Sequence, residues 1–263
     1  MTTVVGAFSR FESGAATHVG RVRKQNEDSY LISTRSGVWV VADGMGGHAA
    51  GGLASHTVVE ELERIETPAS AAELLADCEA RLVDANSRLR ALADTRGDDL
   101  VGTTVAVLLA FDNMFACVWS GDSRIYRIQA GGIVQLTVDH TEVQELVNEG
   151  RLTAEEARSW PRRNVITRAI GTYDRPELEM KSGTLVSGDT FLICSDGLTN
   201  HVEDHEILAL ALAHAPQSAC DRLIELTLAR GATDNVTVVM TRLHLHAVNL
   251  PHSARSNFGG APE

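Results

Sequence analysis

Short apolar runs at 3–8, 29–33 and 38–42 predict strands at the head of the chain. Ala54, Val58, Leu62 and Ile65 then recur at helical spacing, and Leu75, Cys78, Leu82, Ala85, Leu89 and Leu92 mark a second helix. Ser70 with Glu73 offers that second helix a capping box. Runs at 103–111 and 114–119 flank Asp112-Asn113, a good hairpin turn, and runs at 124–128 and 133–136 flank Gly131-Gly132 in the same way. A buried strand is expected at 190–194, helices at 207–213 and 219–228 with Gly231 as a C-cap, and a last strand at 235–243.

Residues 139–170 break this pattern. They are polar and partly helical, carry a capping box at Thr153 and Glu156, and are interrupted by Glu149-Gly150 and Pro161. The segment reads as a flap laid over the sheet rather than as core. The tail at 249–263, which contains Gly, Pro and Ser, is expected to be disordered, so 1–248 reads as a single domain without internal repeats. Hairpins mixed with pairs of helices predict an α+β layered fold, two sheets covered by helices.

Composition narrows the function. The 263 residues are 44% hydrophobic, enough for a sizeable core, and the net charge is -12. That charge argues against nucleic acid and against electrostatic binding to anionic membranes. Cys78, Cys117, Cys194 and Cys220 show neither zinc nor redox spacing, which suits a reducing cytoplasm. Residues 1–11 lack the features of a signal peptide, and the most apolar window, 101–119, is interrupted by Asp112 and Asn113, so no membrane span is expected.

The acids are placed in a pattern. Asp43 follows the run at 38–42, Asp122 the run at 114–119 and Asp196 the run at 190–194, while Asp234 stands just ahead of the last strand. Antiparallel neighbours would bring all four to one edge of a sheet. Four carboxylates there repel one another strongly without cations, and hard ions such as magnesium or manganese take oxygen ligands. Asp-Gly after a strand is also ordinary turn chemistry, and that alternative stands for any one of these residues alone. A rival motif, Gly44-Met45-Gly46-Gly47-His48-Ala49, fits a dinucleotide loop. Asp43 would place negative charge beside the pyrophosphate, and the later segments do not alternate as a parallel sheet requires.

Taken together, Arg23-Lys24-Gln25-Asn26-Glu27-Asp28, Ala42-Asp43-Gly44-Met45-Gly46-Gly47, Gly102-Thr103-Thr104, Gly121-Asp122-Ser123-Arg124, Ser195-Asp196-Gly197-Leu198 and Thr233-Asp234-Asn235 resemble the metal-dependent protein phosphatases, the protein phosphatase 2C family, in its small bacterial branch. The resemblance spans about 15–243. It implies a four-layer fold, a sandwich of two antiparallel sheets flanked by pairs of antiparallel helices. It implies a centre of two magnesium or manganese ions. Asp43 would bridge both, Asp196 and Asp234 would complete the first, and the carbonyl of Gly44 would bind the second, with Asp28 and Glu27 acting directly or through coordinated waters. A third ion is implied at Asp122 and Asp196, and Arg23 matches the phosphate-binding arginine.

The implied activity is hydrolysis of phosphoserine and phosphothreonine by in-line attack of a metal-activated water, with phosphorylated proteins as substrates and a serine/threonine kinase as the opposing partner. The sequence shows no obvious coiled coil, so a monomer is the default expectation. A binding module that has lost chemistry and a hydrolase of small phosphoesters are the alternatives. One position departs from the family's eukaryotic members. Met45 stands where they carry a histidine that is a candidate general acid, which leaves His48, His140 or a water as proton donor. Arg162, Arg163 and Arg168 in the flap are candidates for attracting an acidic phosphorylated loop; His244 and His246 receive no role.

Overall fold

The computed structural model describes residues 9–46, 50–96 and 101–245. The chain runs through β1 (Ser9–His18), β2 (Asp28–Ser33), β3 (Val38–Gly46), α1 (Ala50–Glu63), α2 (Ala71–Arg96), β4 (Val101–Thr103), β5 (Val105–Phe111), β6 (Met114–Ser120), β7 (Arg124–Gln129) and β8 (Gly132–Gln135). It continues through α3 (Glu142–Asn148), α4 (Ala154–Arg158), β9 (Glu179–Thr184), β10 (Thr190–Cys194), α5 (Asp196–Thr199), α6 (Asp204–Ala213), α7 (Pro216–Ala229) and β11 (Val236–Leu245). One sheet has the order β1-β11-β10-β7-β8 and the other β2-β3-β5-β6-β9, with β4 added to the end of β3. Every strand pairing is antiparallel.

Three cores define four layers. Val38, Val40 and Ala42 of β3 with Val105, Val107 and Leu109 of β5 pack under Ala54, Val58 and Leu62 of α1 and Leu82 and Leu89 of α2. The alternate residues, Trp39, Val41, Ala106 and Leu108, point between the sheets and meet Phe191, Ile193 and Val239. Leu192, Cys194, Val238 and Met240 turn the other way and are covered by Ile207 and Ala211 of α6 and Leu223 and Ile224 of α7. Central strands thus bury both faces, which is why they read as unbroken apolar runs. All four cysteines are buried and unpaired. Among the described residues, no helix is long and apolar enough to cross a membrane.

Two strands were absent from the sequence pattern. β1 pairs along its whole length with β11, yet its residues are mostly small or polar; β9 leaves much of itself exposed beside β6. Both are edge strands, where one flank lacks a neighbour and polar side chains guard against stray pairing. The apolar run at 3–8, expected to be the first strand, lies outside the described residues; β1 follows it. The run expected at 103–111 is split at Thr104, because Val101–Thr103 pairs with Gly44 to Gly46. Asp112-Asn113 makes the anticipated turn, with Phe111 opposite Met114 and Asp112 at φ 49°. The second turn falls one residue earlier than expected, at Ala130-Gly131, since Gln129 pairs with Gly132.

The caps explain several boundaries. Thr153 and Glu156 form the full reciprocal box at α4. At α2, Ser70 Oγ accepts from the Glu73 N–H at 3.1 Å, but the Glu73 carboxylate accepts from the Ala69 N–H at 2.6 Å instead of closing on Ser70. Gly231 follows the C-cap Arg230 at φ 111°.

One largely buried ion pair ties β7 to the residue just ahead of β10. Asp189 is fully buried, pairs with Arg127, and accepts from the Val186 N–H at 2.8 Å. The Arg127 guanidinium lies 5.1 Å from the Phe115 ring centroid and 5.9 Å from that of Phe191. Asp189→Ala strands that cation between aromatic rings and is expected to destabilise the fold by about 3 kcal/mol in urea unfolding. A loss below about 1 kcal/mol, the size of an exposed pair, would contradict this reading.

Candidate metal centre

The pairing of β2 with β3 sets Asp28 directly opposite Asp43. Asp43 was expected at the end of its strand; β3 instead runs on to Gly46, changing partner to β4 immediately after Asp43. The change is held by two threonines. The Asp43 carbonyl accepts from the Thr104 N–H at 2.8 Å and from Thr103 Oγ1 at 2.9 Å, and the Asp43 N–H donates to Thr104 Oγ1 at 3.1 Å. Thr104 Oγ1 also bonds Ser123 Oγ at 2.8 Å, tying Asp43 to the turn that carries Asp122. Gly44 has no room for a side chain: a Cβ there would lie 2.0 Å from the Gly51 carbonyl oxygen in the first turn of α1. The Gly44 N–H donates to the Glu27 carbonyl at 3.1 Å, so Glu27 also sits beside this strand.

Asp196 opens α5 directly after β10. Ser195 Oγ donates to Asp28 Oδ2 at 2.9 Å and accepts from the Thr237 N–H at 3.0 Å, which links β10, β11 and β2 at one point. Asn200 Nδ2 donates to Asp196 Oδ2 at 3.0 Å. A Cβ on Gly197 would lie 1.9 Å from the Asn235 carbonyl oxygen, so only glycine lets the start of α5 come down on the Asp234-Asn235 segment. Asn235 in turn pins the 19–27 loop: its amide donates to the carbonyls of Val19 and Gln25, both at 2.9 Å, and its Oδ1 accepts from the Glu27 N–H at 2.8 Å. That loop presents Arg23, whose Nη2 reaches Asp234 Oδ2 at 2.7 Å.

These acids feel one another. Burial, then the charges of Asp28, Asp196, Asp122 and Asp234, hold the Asp43 carboxyl well above the usual range. Asp122 is likewise held high by burial and by Asp196 and Asp139. Burial pushes Asp28 up to about 6 against the hydrogen bonds from Thr237 and Ser195, and burial with the charge of Asp234 pushes Asp196 up to about 6. Among the described residues, no trio of His, Cys, Asp or Glu side chains is already drawn together closely enough to hold an ion. Asp234 is engaged by Arg23 instead. The donor set nevertheless fits a hard cation. Asp28 Oδ1 is buried with no hydrogen-bond partner among the described residues, and every neighbouring group that raises these carboxyls is another carboxylate oxygen.

The candidate proton donors fare differently. His48 lies outside the described residues. His140 is buried, with Nδ1 accepting from the Gly121 N–H at 3.1 Å and Nε2 facing Glu179 Oε1 at 3.3 Å. Its backbone N–H donates to the Gly121 carbonyl at 3.0 Å, its carbonyl accepts from the Thr167 N–H at 2.8 Å, and its ring stacks on Trp119. His140 therefore clamps the Asp122 turn to the two ends of the flap, and both ring nitrogens are engaged; it is a poor proton donor to a leaving group. His244 Nε2 faces Glu12 at 3.2 Å, away from these acids in the strand pairing, and His246 lies outside the described residues. Thr103, Thr104, Ser195 and Asn235 were overlooked as supports. The signal for them was their place within the motifs; their hydrogen bonds span up to 216 residues and have no local pattern.

A family model described as protein phosphatase 2C matches residues 17–234. The serine/threonine protein phosphatase PstP of Mycobacterium tuberculosis is 42% identical over 224 residues, 84% of this chain but 43% of PstP, so the chain spans less than half the length of that relative. The protein phosphatase PhpP of Streptococcus pneumoniae is 33% identical over 240 residues, covering 89% of this chain and 98% of PhpP. The crystal structure of the PstP catalytic domain with two manganese ions superimposes with a TM-score of 0.81 at 37% identity, covering 90% of this chain and 99% of that one. A double antiparallel sandwich between helix pairs is the architecture of the solved PPM phosphatases, such as MsPP of Mycobacterium smegmatis, which matches with a TM-score of 0.77 at 32% identity over 89% of this chain. This chain belongs to the protein phosphatase 2C family.

Proposed function

We propose that this chain is a protein serine/threonine phosphatase that hydrolyses phosphoserine and phosphothreonine with manganese or magnesium. The observation that carries the reading is the buried, partnerless Asp28 Oδ1 set opposite Asp43, amid three further aspartates that raise one another's proton affinity. Such a cluster is stable in its charged form only with cations. Asp43 would serve both core ions, Asp196 and Asp234 would help hold one of them, and the Gly44 carbonyl and Asp28 the other. A third ion is assigned to Asp122 and Asp196. Bound ions supply a nucleophilic water at neutral pH and screen the charge of the phosphate dianion.

The chain's own groups do the positioning. Arg23 is more than half exposed and holds Asp234 with one nitrogen, so its planar fork is free to turn to two phosphate oxygens once Asp234 is neutralised by a cation. Thr103 and Thr104 fix Asp43 through its backbone, which leaves the carboxylate for ligation. Met45 donates no proton, and His140 is occupied, so the leaving oxygen takes its proton from solvent at the centre or from His48. Residues 1–248 form the catalytic unit, acting as a monomer in the cytoplasm, and the phosphoproteins it serves include a serine/threonine kinase.

The test is hydrolysis of a phosphothreonine peptide by the full chain in manganese and in chelator. Turnover in manganese that disappears in chelator is the expected result. Equal rates in both, or hydrolysis of small phosphoesters with none of the peptide, would overturn the reading.

A further inference from the structure

The flap and the α5–α6 segment bound a cleft of about 750 Å³, within the size range of ligand sites. Asp122 and Asp196 line it, so it is continuous with the candidate centre; Arg158 and Arg163 line it from the flap, and Asp204 and His205 from the start of α6. A phosphate held at the aspartates would leave this cleft for the chain on which the phosphate is carried.

The arginines of the flap are not equivalent. Arg151 pairs with Glu149 at 3.1 Å, Arg162 with Glu142 at 2.8 Å, and Arg168 with Glu177 and Glu179 at 3.2 and 2.9 Å. Arg124, which also lines the cleft, is held by Asp139 at 2.6 Å. Among the described residues, Arg158 and Arg163 have no carboxylate within ion-pair distance. They are also adjacent: Arg163 Nη1 donates to the Arg158 carbonyl at 2.9 Å. In a chain of net charge -12, the flap cations without an acidic partner are the two that face the cleft. Of the arginines suggested by sequence, Arg162 is thus engaged by Glu142 within the flap and Arg168 by Glu177 and Glu179 beyond it, and Arg158 takes their place beside Arg163.

We infer that the cleft seats the peptide flanking the phosphorylated residue, and that Arg158 and Arg163 select substrates with acidic side chains in that flank. A carboxylate there completes the charge pairing that the fold leaves open, and a planar guanidinium suits it bidentately. The inference rests on the phosphoprotein reading above and adds to it a class of sequence.

The test compares two phosphothreonine peptides that differ only in carrying glutamates or lysines around the phosphothreonine, with nitrophenyl phosphate as a substrate that has no flank. Wild type in manganese is expected to show a higher kcat/KM on the glutamate peptide by about three- to tenfold, the worth of one or two exposed ion pairs. Arg158→Gln with Arg163→Gln removes that preference and leaves nitrophenyl phosphate turnover unchanged, Arg162→Gln retains it, and Arg158→Glu with Arg163→Glu reverses it. Equal rates on the two peptides in wild type, or a preference that survives Arg158→Gln with Arg163→Gln, overturns the inference. Turnover of nitrophenyl phosphate with neither peptide cleaved overturns the phosphoprotein reading, and the inference falls with it.

Discussion

Asp43→Asn is expected to lower kcat/KM on a phosphothreonine peptide by on the order of a thousandfold, and at the same time to make the metal-free protein more stable. The two effects share a cause. Asp43 stands opposite Asp28 and in the field of Asp196, Asp122 and Asp234, so its negative charge is unfavourable until cations arrive. An amide has the same shape without the charge: it bridges cations poorly, yet relieves the repulsion. Its backbone bonds to Thr103 and Thr104 do not involve the side chain and survive the change. Peptide turnover and urea unfolding in chelator check the pair of effects. Lost activity with lost stability would instead mark Asp43 as a structural residue, and full activity would remove it from the centre.

Stability of the metal-free protein should fall as pH rises, and manganese should reverse that trend. Asp28 and Asp196 are each raised to about 6 in the folded chain from an ordinary value of 3.8. A folded carboxyl that binds its proton more tightly than the unfolded one adds stability in full below about pH 4, and that contribution is lost as pH rises through 6. Taken singly, each contributes about 3 kcal/mol, and coupling between them reduces the sum. Cations require the deprotonated ligands, so the increment that manganese adds over chelator should be several kcal/mol larger at pH 8 than at pH 5. Taking the increment at each pH cancels groups remote from the centre. An increment equal at both pH values would contradict the assignment of these carboxyls to ion binding.

The long buried strands and the helices α1, α2, α6 and α7 were legible in the chain because their periodicity is enforced by burial. β3, β5, β10 and β11 are covered on both faces, and the caps at α2 and α4 are local. The edge strands β1 and β9 were not legible, since a strand with one open flank gains from being polar. At the candidate site, Asp122, Asp196 and Asp234 could be read as acids beside strand ends, Asp43 only as the acid after a buried run that β3 carries on past, and the family resemblance pointed to Arg23, Asp28 and Gly44. What the chain did not display is the scaffolding that converges them. Ser195 bonding Asp28 and Asn235 bonding Val19 and Gln25 join residues far apart in sequence, and Gly197 matters only because Asn235 stands 1.9 Å from where its Cβ would be. The flap shows the same limit. A cluster of arginines is visible in the chain, but which are paired is decided by contacts distant in sequence, Arg162 with Glu142 and Arg168 with Glu177 and Glu179.

The central claim is that these aspartates together form a centre for more than one divalent ion. Titration of manganese into the full chain, with the number of ions bound per chain read by calorimetry, tests it most directly. At least two ions are expected for wild type and fewer for Asp43→Asn; no more than one ion in wild type, or an unchanged number in the variant, would contradict the account.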